Sequence, residues 1–392
     1  MEKKLRGSSR IAGAIGLAAM TLLAACGGGG GDGGGGSSGP VPQGTVKMSM
    51  TDAPSCYRNV WVNVEKVRIH KNGTTADTQA GWEEIIPPNA PVRIDLLNLT
   101  NGALADLGTA TVDAGAYRQI RLVLADNGNE VILLDGTPQQ LKTPSAQQSG
   151  LKIQADFDVA ANSTTEMLLD FDACKSIVIA GNSGQYVLKP VVRFTDQPAG
   201  SITGYVTTTL TLGKTAVSAQ QGGEVLRSTV PDANGQFRLA YLQPGTYTVV
   251  ITSDERATGV INSVPVGTAT TAVNGTASYI VLPTSSMTTV TGTVTASAVA
   301  VTDATVTAFQ NVATGGPIQV LSVPVDLDFA TYTMRLPTAD PVRAPYSASG
   351  LAFAADATAA GKYDLKAVSP TKGTKSVVFD ARGAATTANI AY

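Results

Sequence analysis

Residues 59–70 read Asn59-Val60-Trp61-Val62-Asn63-Val64-Glu65-Lys66-Val67-Arg68-Ile69-His70. Val60, Val62 and Val64 recur at every second position, the period of a strand with one buried face, and valine suits a pleated surface. The apolar positions then slip by one to Val67 and Ile69, which predicts a β-bulge at Glu65-Lys66. The same period starts earlier, at Val46, Met48 and Met50. It continues through Trp82–Ile86, Val92–Leu99, Tyr117–Leu124, Glu130–Leu134, Leu151–Val159, Met167–Phe171, Ile177–Ala180 and Tyr186–Phe194. Asn72-Gly73, Asn101-Gly102, Asn127-Gly128 and Asp135-Gly136 punctuate these runs with residues that tolerate a positive φ. The expected fold class is all-β, with about nine or ten strands in this first domain. A short helical turn is expected only at Leu99–Leu107.

Thr51-Asp52-Ala53-Pro54, Ile94-Asp95-Leu96-Leu97, Gly115–Leu122, Gly150–Ile153, Asp170-Phe171-Asp172-Ala173 and Leu188–Arg193 follow one another through this segment. In that order they resemble the bacterial lipoprotein domain known as domain-of-unknown-function family 4382. The resemblance covers approximately residues 43–196 and implies a β-rich envelope module with no catalytic role. Beyond Asp196–Gly200 the pattern changes to Ser201–Val206, Ala216–Ala219, Asp232–Leu239 and Leu242–Ile251. Its Asn234-Gly235 turn and Pro244-Gly245-Thr246-Tyr247 corner resemble a carboxypeptidase regulatory-like domain. That resemblance implies an accessory seven-stranded sandwich, related in fold to transthyretin and starch-binding-like domains and lacking the peptidase's catalytic groups. Val290-Thr291-Gly292-Thr293-Val294 and Thr305–Ala308 then answer Ile202–Val206 and Ala216–Ala219 at nearly equal offsets, the mark of a repeat. Gly361–Lys366 answers Gly245–Val250 at a longer offset. The third domain therefore carries an insertion that includes Pro337–Gly350, with Pro337, Pro341 and Pro345 in an irregular loop.

At the N-terminus, Lys3, Lys4, Arg6 and Arg10 precede an apolar run from Ile11 to Ala25, the layout of a secretory signal rather than a spanning helix. Leu23-Ala24-Ala25-Cys26 resembles a lipobox, which implies cleavage before Cys26 and acylation of that residue. Gly27 in place of Asp implies sorting to the outer membrane. Residues 27–39 hold ten glycines, too little apolar surface to offset chain entropy, and read as a flexible tether. The expected organisation is a signal peptide at 1–25, lipidated Cys and tether at 26–42, and β-sandwich domains at 43–197, 199–283 and 287–392. Lipid-anchored at the outer membrane, these domains would face the periplasm or the cell surface.

Charge and residue usage exclude several functions. The chain has 392 residues, a net charge of -2 and a single histidine. It therefore offers no basic stripe for nucleic acid and little scope for histidine-based catalysis. His70, just before Lys71-Asn72-Gly73, reads as a solvated residue at a hairpin edge. No GxSxG elbow occurs, and the glycine run follows no strand, so it is not a phosphate loop. No cofactor is expected.

Carboxylates and cysteines supply the remaining candidates. If Leu151–Val159 and Thr165–Ala173 pair as a hairpin, Phe157, Ala155 and Ile153 face Met167, Leu169 and Phe171. Asp156, Asp158, Glu166 and Asp170 then share the opposite face, either as a solvated acidic surface or as a hard-cation patch. Cys56 and Cys174 are left in an exported chain once Cys26 is acylated, and both sit at strand ends. They are expected to form a disulfide, the alternative being two buried thiols. Two function classes follow. One is a non-enzymatic envelope lipoprotein whose sandwiches bind a glycan or protein partner in a structural or adhesive role. The other is a carboxylate-dependent hydrolase acting on an envelope polymer. With Trp61 and Trp82 the only tryptophans, surface for stacking sugars is sparse, and the first class is preferred.

Overall fold

A computed structural model describes residues 41–52, 57–144, 149–189, 191–196 and 200–392. The signal-like segment, Cys26, the glycine run and Cys56 lie outside the described residues. Val41–Tyr392 forms one compact unit, nearly all β.

The first sandwich contains β1 (Gln43–Asp52), β2 (Asn59–His70), β3 (Glu83–Ile85), β4 (Val92–Asp95), β5 (Ala105–Asp113), β6 (Gly115–Leu124), β7 (Glu130–Ile132), β8 (Pro138–Lys142), β9 (Leu151–Val159), β10 (Thr164–Phe171), β11 (Ile177–Ala180), β12 (Gln185–Leu188) and β13 (Val192–Asp196). One sheet runs β13-β10-β1-β5 and the other β11-β12-β8-β7-β2-β6-β9, with β3 and β4 also on β2. Between the sheets lies a core that includes Met48, Val62, Ile69, Tyr117, Phe157 and Phe171. The bulge falls where the slipped alternation predicts it, since β2 shifts register against β6 between Val64 and Lys66.

Three local expectations are corrected. The helical turn lies at Leu96–Asn98, where the Asp95 side chain accepts from Leu97 N. Residues 105–113, whose alternation is diluted by Gly108 and short polar side chains, form a strand instead. The run Tyr186–Phe194 divides into β12 and β13, which belong to different sheets. Finally, β9 and β10 are not a hairpin. β9 pairs with β6, while β10 lies parallel to β1 and antiparallel to β13. Asn162, at φ 56°, turns the chain from one sheet to the other, and Asn162 N donates to Gln43 O at 2.8 Å. Their alternating residues therefore meet across the core rather than along one sheet, a distinction that strand periodicity cannot make.

The second sandwich holds β14 (Gly200–Tyr205), β15 (Thr215–Gln221), β16 (Glu224–Thr229), β17 (Gln236–Leu242), β18 (Gly245–Ser253), β19 (Gly259–Val266) and β20 (Thr270–Ala272). The third holds β21 (Met287–Ala296), β22 (Val299–Ala300), β23 (Thr305–Val312), β24 (Gly316–Pro324) and β25 (Thr331–Pro337). It resumes, after β26 (Val342–Pro345) and β27 (Ala354–Ala355), with β28 (Lys362–Ser369), β29 (Gly373–Asp380) and β30 (Ile390–Ala391). The proline-rich insertion is not an irregular loop. β26 adds parallel to β19, giving the second sandwich the sheet β16-β15-β18-β19-β26-β27. Val342 joins the second core, with Tyr346, Leu351 and Phe353 packed against it. Pro341 precedes the strand and Pro345 is its last residue, places where a missing backbone donor is tolerated.

Candidate functional site

The first and second sandwiches meet through the outer face of the sheet that contains β10. Asp170 and Arg227 form an ion pair of 3.0 Å, each side chain 9% exposed. Arg227 Nη2 also donates to Thr195 Oγ1 at 2.5 Å. Removing one member of such a buried pair costs about 3–5 kcal/mol because the other charge is left uncompensated. Burial pushes the Asp170 carboxyl up from its usual range, against the opposing pull of Arg227.

Asn101-Gly102, a turn by sequence, is the second contact between these sandwiches. Asn101 and Gly102 adopt φ values of 56° and 85°, which frees Asn101 to bond across the junction. Its backbone N donates to Thr229 Oγ1 at 2.9 Å, its Nδ2 to Val230 O at 3.0 Å, and its Oδ1 accepts from Arg238 N at 2.9 Å. Tyr241 completes the contact by donating its hydroxyl to Gly102 O at 2.8 Å.

These contacts fix the walls of a cleft of about 940 Å³. Arg118, Gln154, Asp156 and Arg193 line it from the first sandwich, and Gln221, Glu224, Arg227 and Tyr241 from the second. Within it, Arg118 Nη1 lies 2.7 Å from Asp156 Oδ1. Arg193 Nη1 donates to Val225 O, and its Nη2 lies 3.6 Å from Glu224. The cleft offers guanidinium, carboxylate, amide and phenol groups at fixed positions, a surface that can hold a polar ligand by hydrogen bonds. Sequence alone did not single out Arg118, Arg193, Arg227 or Tyr241, because the cleft exists only where two separate domains meet.

The four carboxylates proposed as a cation patch are dispersed. Asp156 and Asp158 project from β9 and pair with no strand of the other sheet. Glu166 faces Lys47 at 3.3 Å, and Asp170 is sealed against Arg227. Among the described residues no group of three histidine, cysteine or acidic side chains is placed to hold a metal ion.

His70 is a half-exposed residue at the end of β2, beside the antiparallel β2–β3 pairing. Its ring lies 5.0 Å from that of Trp82. Asn72 N donates to Nδ1 at 2.9 Å, and Nε2 lies 3.3 Å from Ala80 O. The Arg68 guanidinium lies 4.8 Å from the Trp82 ring centre, and that of Arg93 lies 4.4 Å from Trp61. Each indole thus stacks against an arginine, and neither tryptophan lines the cleft. Cys174 sits in a four-residue helix, Ala173–Ser176, and is disulfide-bonded. Its expected partner, Cys56, lies outside the described residues.

Residues 43–190 match the family model described as Domain of unknown function (DUF4382). That description assigns no activity. No curated protein matches the chain. Among solved structures, the chain is similar to part of a type II cohesin–X-dockerin complex from Acetivibrio cellulolyticus. There the identity is 30%, over 21% of this chain and 56% of that one, with a TM-score of 0.18. A second complex from that organism is covered over 58% of its length, so this chain spans little more than half of either. The Bacillus anthracis TIE protein aligns at 10% identity over 90% of this chain and 51% of its own, at a TM-score of 0.19. A streptococcal ancillary pilin aligns at 9% over 88% and 98%, at 0.17.

Proposed function

We propose that this protein is a non-enzymatic cell-envelope lipoprotein, anchored in the outer membrane through Cys26, that holds a glycan or protein partner in the cleft between its first two sandwiches. The observation that carries the reading is that the cleft is preformed. Its walls are locked by the buried Arg227–Asp170 pair and the Asn101 bonds, so a partner meets ordered polar groups without the entropy cost of arranging them. Of the carboxylates at or near the cleft, Asp156 faces Arg118, Asp170 faces Arg227 and Glu224 faces Arg193, an arrangement of charge pairs that favours binding over general acid and base chemistry.

Titrating envelope oligosaccharides and candidate envelope polypeptides against the full chain tests the cleft. The double variant Arg118→Ala, Gln154→Ala should weaken binding at least tenfold, whereas Lys375→Ala on β29 should not. Equal loss in both, or in neither, would remove the cleft from the function. For the anchor, Cys26→Ser should abolish incorporation of labelled palmitate. The Cys56–Cys174 pairing belongs to the same proposal, and it is supported by the bonded state of Cys174. Thiol titration of the denatured, unreduced mature protein should find no reactive cysteine; two reactive thiols would refute the bridge.

A further inference from the structure

A second cavity, of about 440 Å³, opens where all three sandwiches meet. Its volume lies within the range of about 300–1,000 Å³ typical of small-ligand sites. Apolar side chains come from each sandwich: Leu134 from the first, Val225 from the second, and Met287, Val320 and Leu321 from the third. Four cations, Lys175, Lys214, Arg256 and Arg335, share the lining with two carboxylates, Asp172 and Asp254. Asp172 takes Lys175 at 2.8 Å. Asp254 must serve two cations, Lys214 at 3.1 Å and Arg335 at 2.6 Å. Among the described residues the guanidinium of Arg256 makes only a long bond of 3.4 Å to Leu282 O, and Glu255 lines not this cavity but a neighbouring depression that Arg256 and Arg335 also border. The lining is therefore in cationic excess.

An independent feature points to an occupant. Thr258 lines the same cavity and is 2% exposed, yet its Oγ1 has no hydrogen-bond partner among the described residues. Buried hydroxyls without partners are uncommon, and one beside a cavity calls for a missing acceptor or donor. We propose that this three-way junction is a binding site for a small amphiphilic anion, an organic acid whose apolar body packs on Leu134, Met287 and Leu321 while its acid group meets Arg256 and Arg335. The site is separate from the cleft between the first two sandwiches, and either can fail without the other.

The test uses the full chain in nanodiscs and isothermal titration, with empty nanodiscs as the blank. The probe is 1-naphthoate, and its uncharged isostere is 1-naphthamide. One saturable site is expected for the acid, with the amide at least tenfold weaker. Arg335→Gln should weaken the acid about tenfold and leave the amide unchanged. Gly213→Trp fills the cavity from a position whose added Cβ meets no heavy atom within 4 Å, so it should abolish binding without lowering the melting temperature. Absence of saturable binding, equal affinity for acid and amide, or full affinity in Gly213→Trp would each overturn the proposal.

Discussion

In the second sandwich Gly204 lies under Phe237 of the paired strand, where an added Cβ would meet the ring at 2.5 Å; in the third, Gly292 lies under Tyr332 at 2.7 Å. One residue on, Tyr205 N donates to Asn274 Oδ1 at 2.8 Å and Thr293 N to Asn389 Oδ1 at 3.0 Å. The hairpins β15–β16 and β23–β24 both shift register at matching places, Ala219/Gln220 and Ala308/Phe309. Down to the bulge, then, the two are copies. They part at the corner before the tyrosine strand. The second closes it with Gln243 and Pro244, and Tyr247 donates its hydroxyl to Gln243 O at 2.7 Å. The third runs out through β26 and β27, and Tyr363 donates instead to Pro337 O at 2.6 Å. A short corner leaves the β19 edge of the second copy unpaired, and the long one in its neighbour covers that edge. Repeated units can thus keep one internal design while one becomes dependent on another.

The largest expected effect comes from separating them. A fragment of residues 199–283 lacks β26 and exposes the surface covered by Val342, each such fully buried side chain being worth about 1.5–3 kcal/mol. It should lose its cooperative unfolding transition, whereas a fragment of residues 199–392 should keep one. A sharp transition in the shorter piece would show that the insertion is ornamental to the second copy.

A smaller effect separates the two glycines. Gly292→Ala drives a Cβ against the backbone oxygen of Ala388 at 2.0 Å, whereas the contacts that crowd Gly204 are all side-chain atoms, which can shift. Overpacking of this kind costs about 1–3 kcal/mol. Denaturant unfolding of the full chain should place Gly292→Ala at the upper end and Gly204→Ala lower; the reverse order would contradict the assignment of Ala388 as the rigid neighbour.

The smallest effect concerns how the insertion is pinned. Asp356 accepts from Ala313 N and Thr358 Oγ1, both at 2.6 Å, and pairs with Arg343 at 3.5 Å. Burial alone would raise its carboxyl, but these hydrogen bonds and Arg343 outweigh it and hold it below the usual range. A depressed carboxyl contributes stability above its unfolded pKa of about 3.9 and loses it as pH falls through the lower folded value. Hydrogen exchange at β26 should therefore accelerate below about pH 4, and Asp356→Asn should abolish that acid dependence. An unchanged pH profile in the variant would assign the acid sensitivity elsewhere.

Much of this was legible in the sequence. Val60–Ile69 showed its bulge because a one-residue slip in a period of two is visible without knowing the partner strand. The Thr203-Gly204 and Thr291-Gly292 pairs showed the repeat because the same ring must cross the same glycine. What stayed hidden depends on distant partners. Val342–Pro345 is too short for periodicity to register and pairs with a strand of another sandwich. Asn101-Gly102 carries turn chemistry that says nothing of Thr229 or Arg238. Leu151–Val159 and Thr164–Phe171 alternate equally well as a hairpin or as opposite walls of one core. The cleft and the three-way junction inherit the same opacity, since no local stretch contains either.

The parallel pairing of β26 with β19 also bears on the order of events at birth. A chain that emerges N-terminus first can finish the first sandwich early, but the second waits with an open edge until residue 355 has appeared. Closing that edge requires contacts of long sequence separation, which form slowly. During that interval β19 offers a row of unpaired backbone groups to any passing strand. The last two sandwiches therefore mature as one unit, and a truncation between β21 and β26 leaves two faulty domains rather than one.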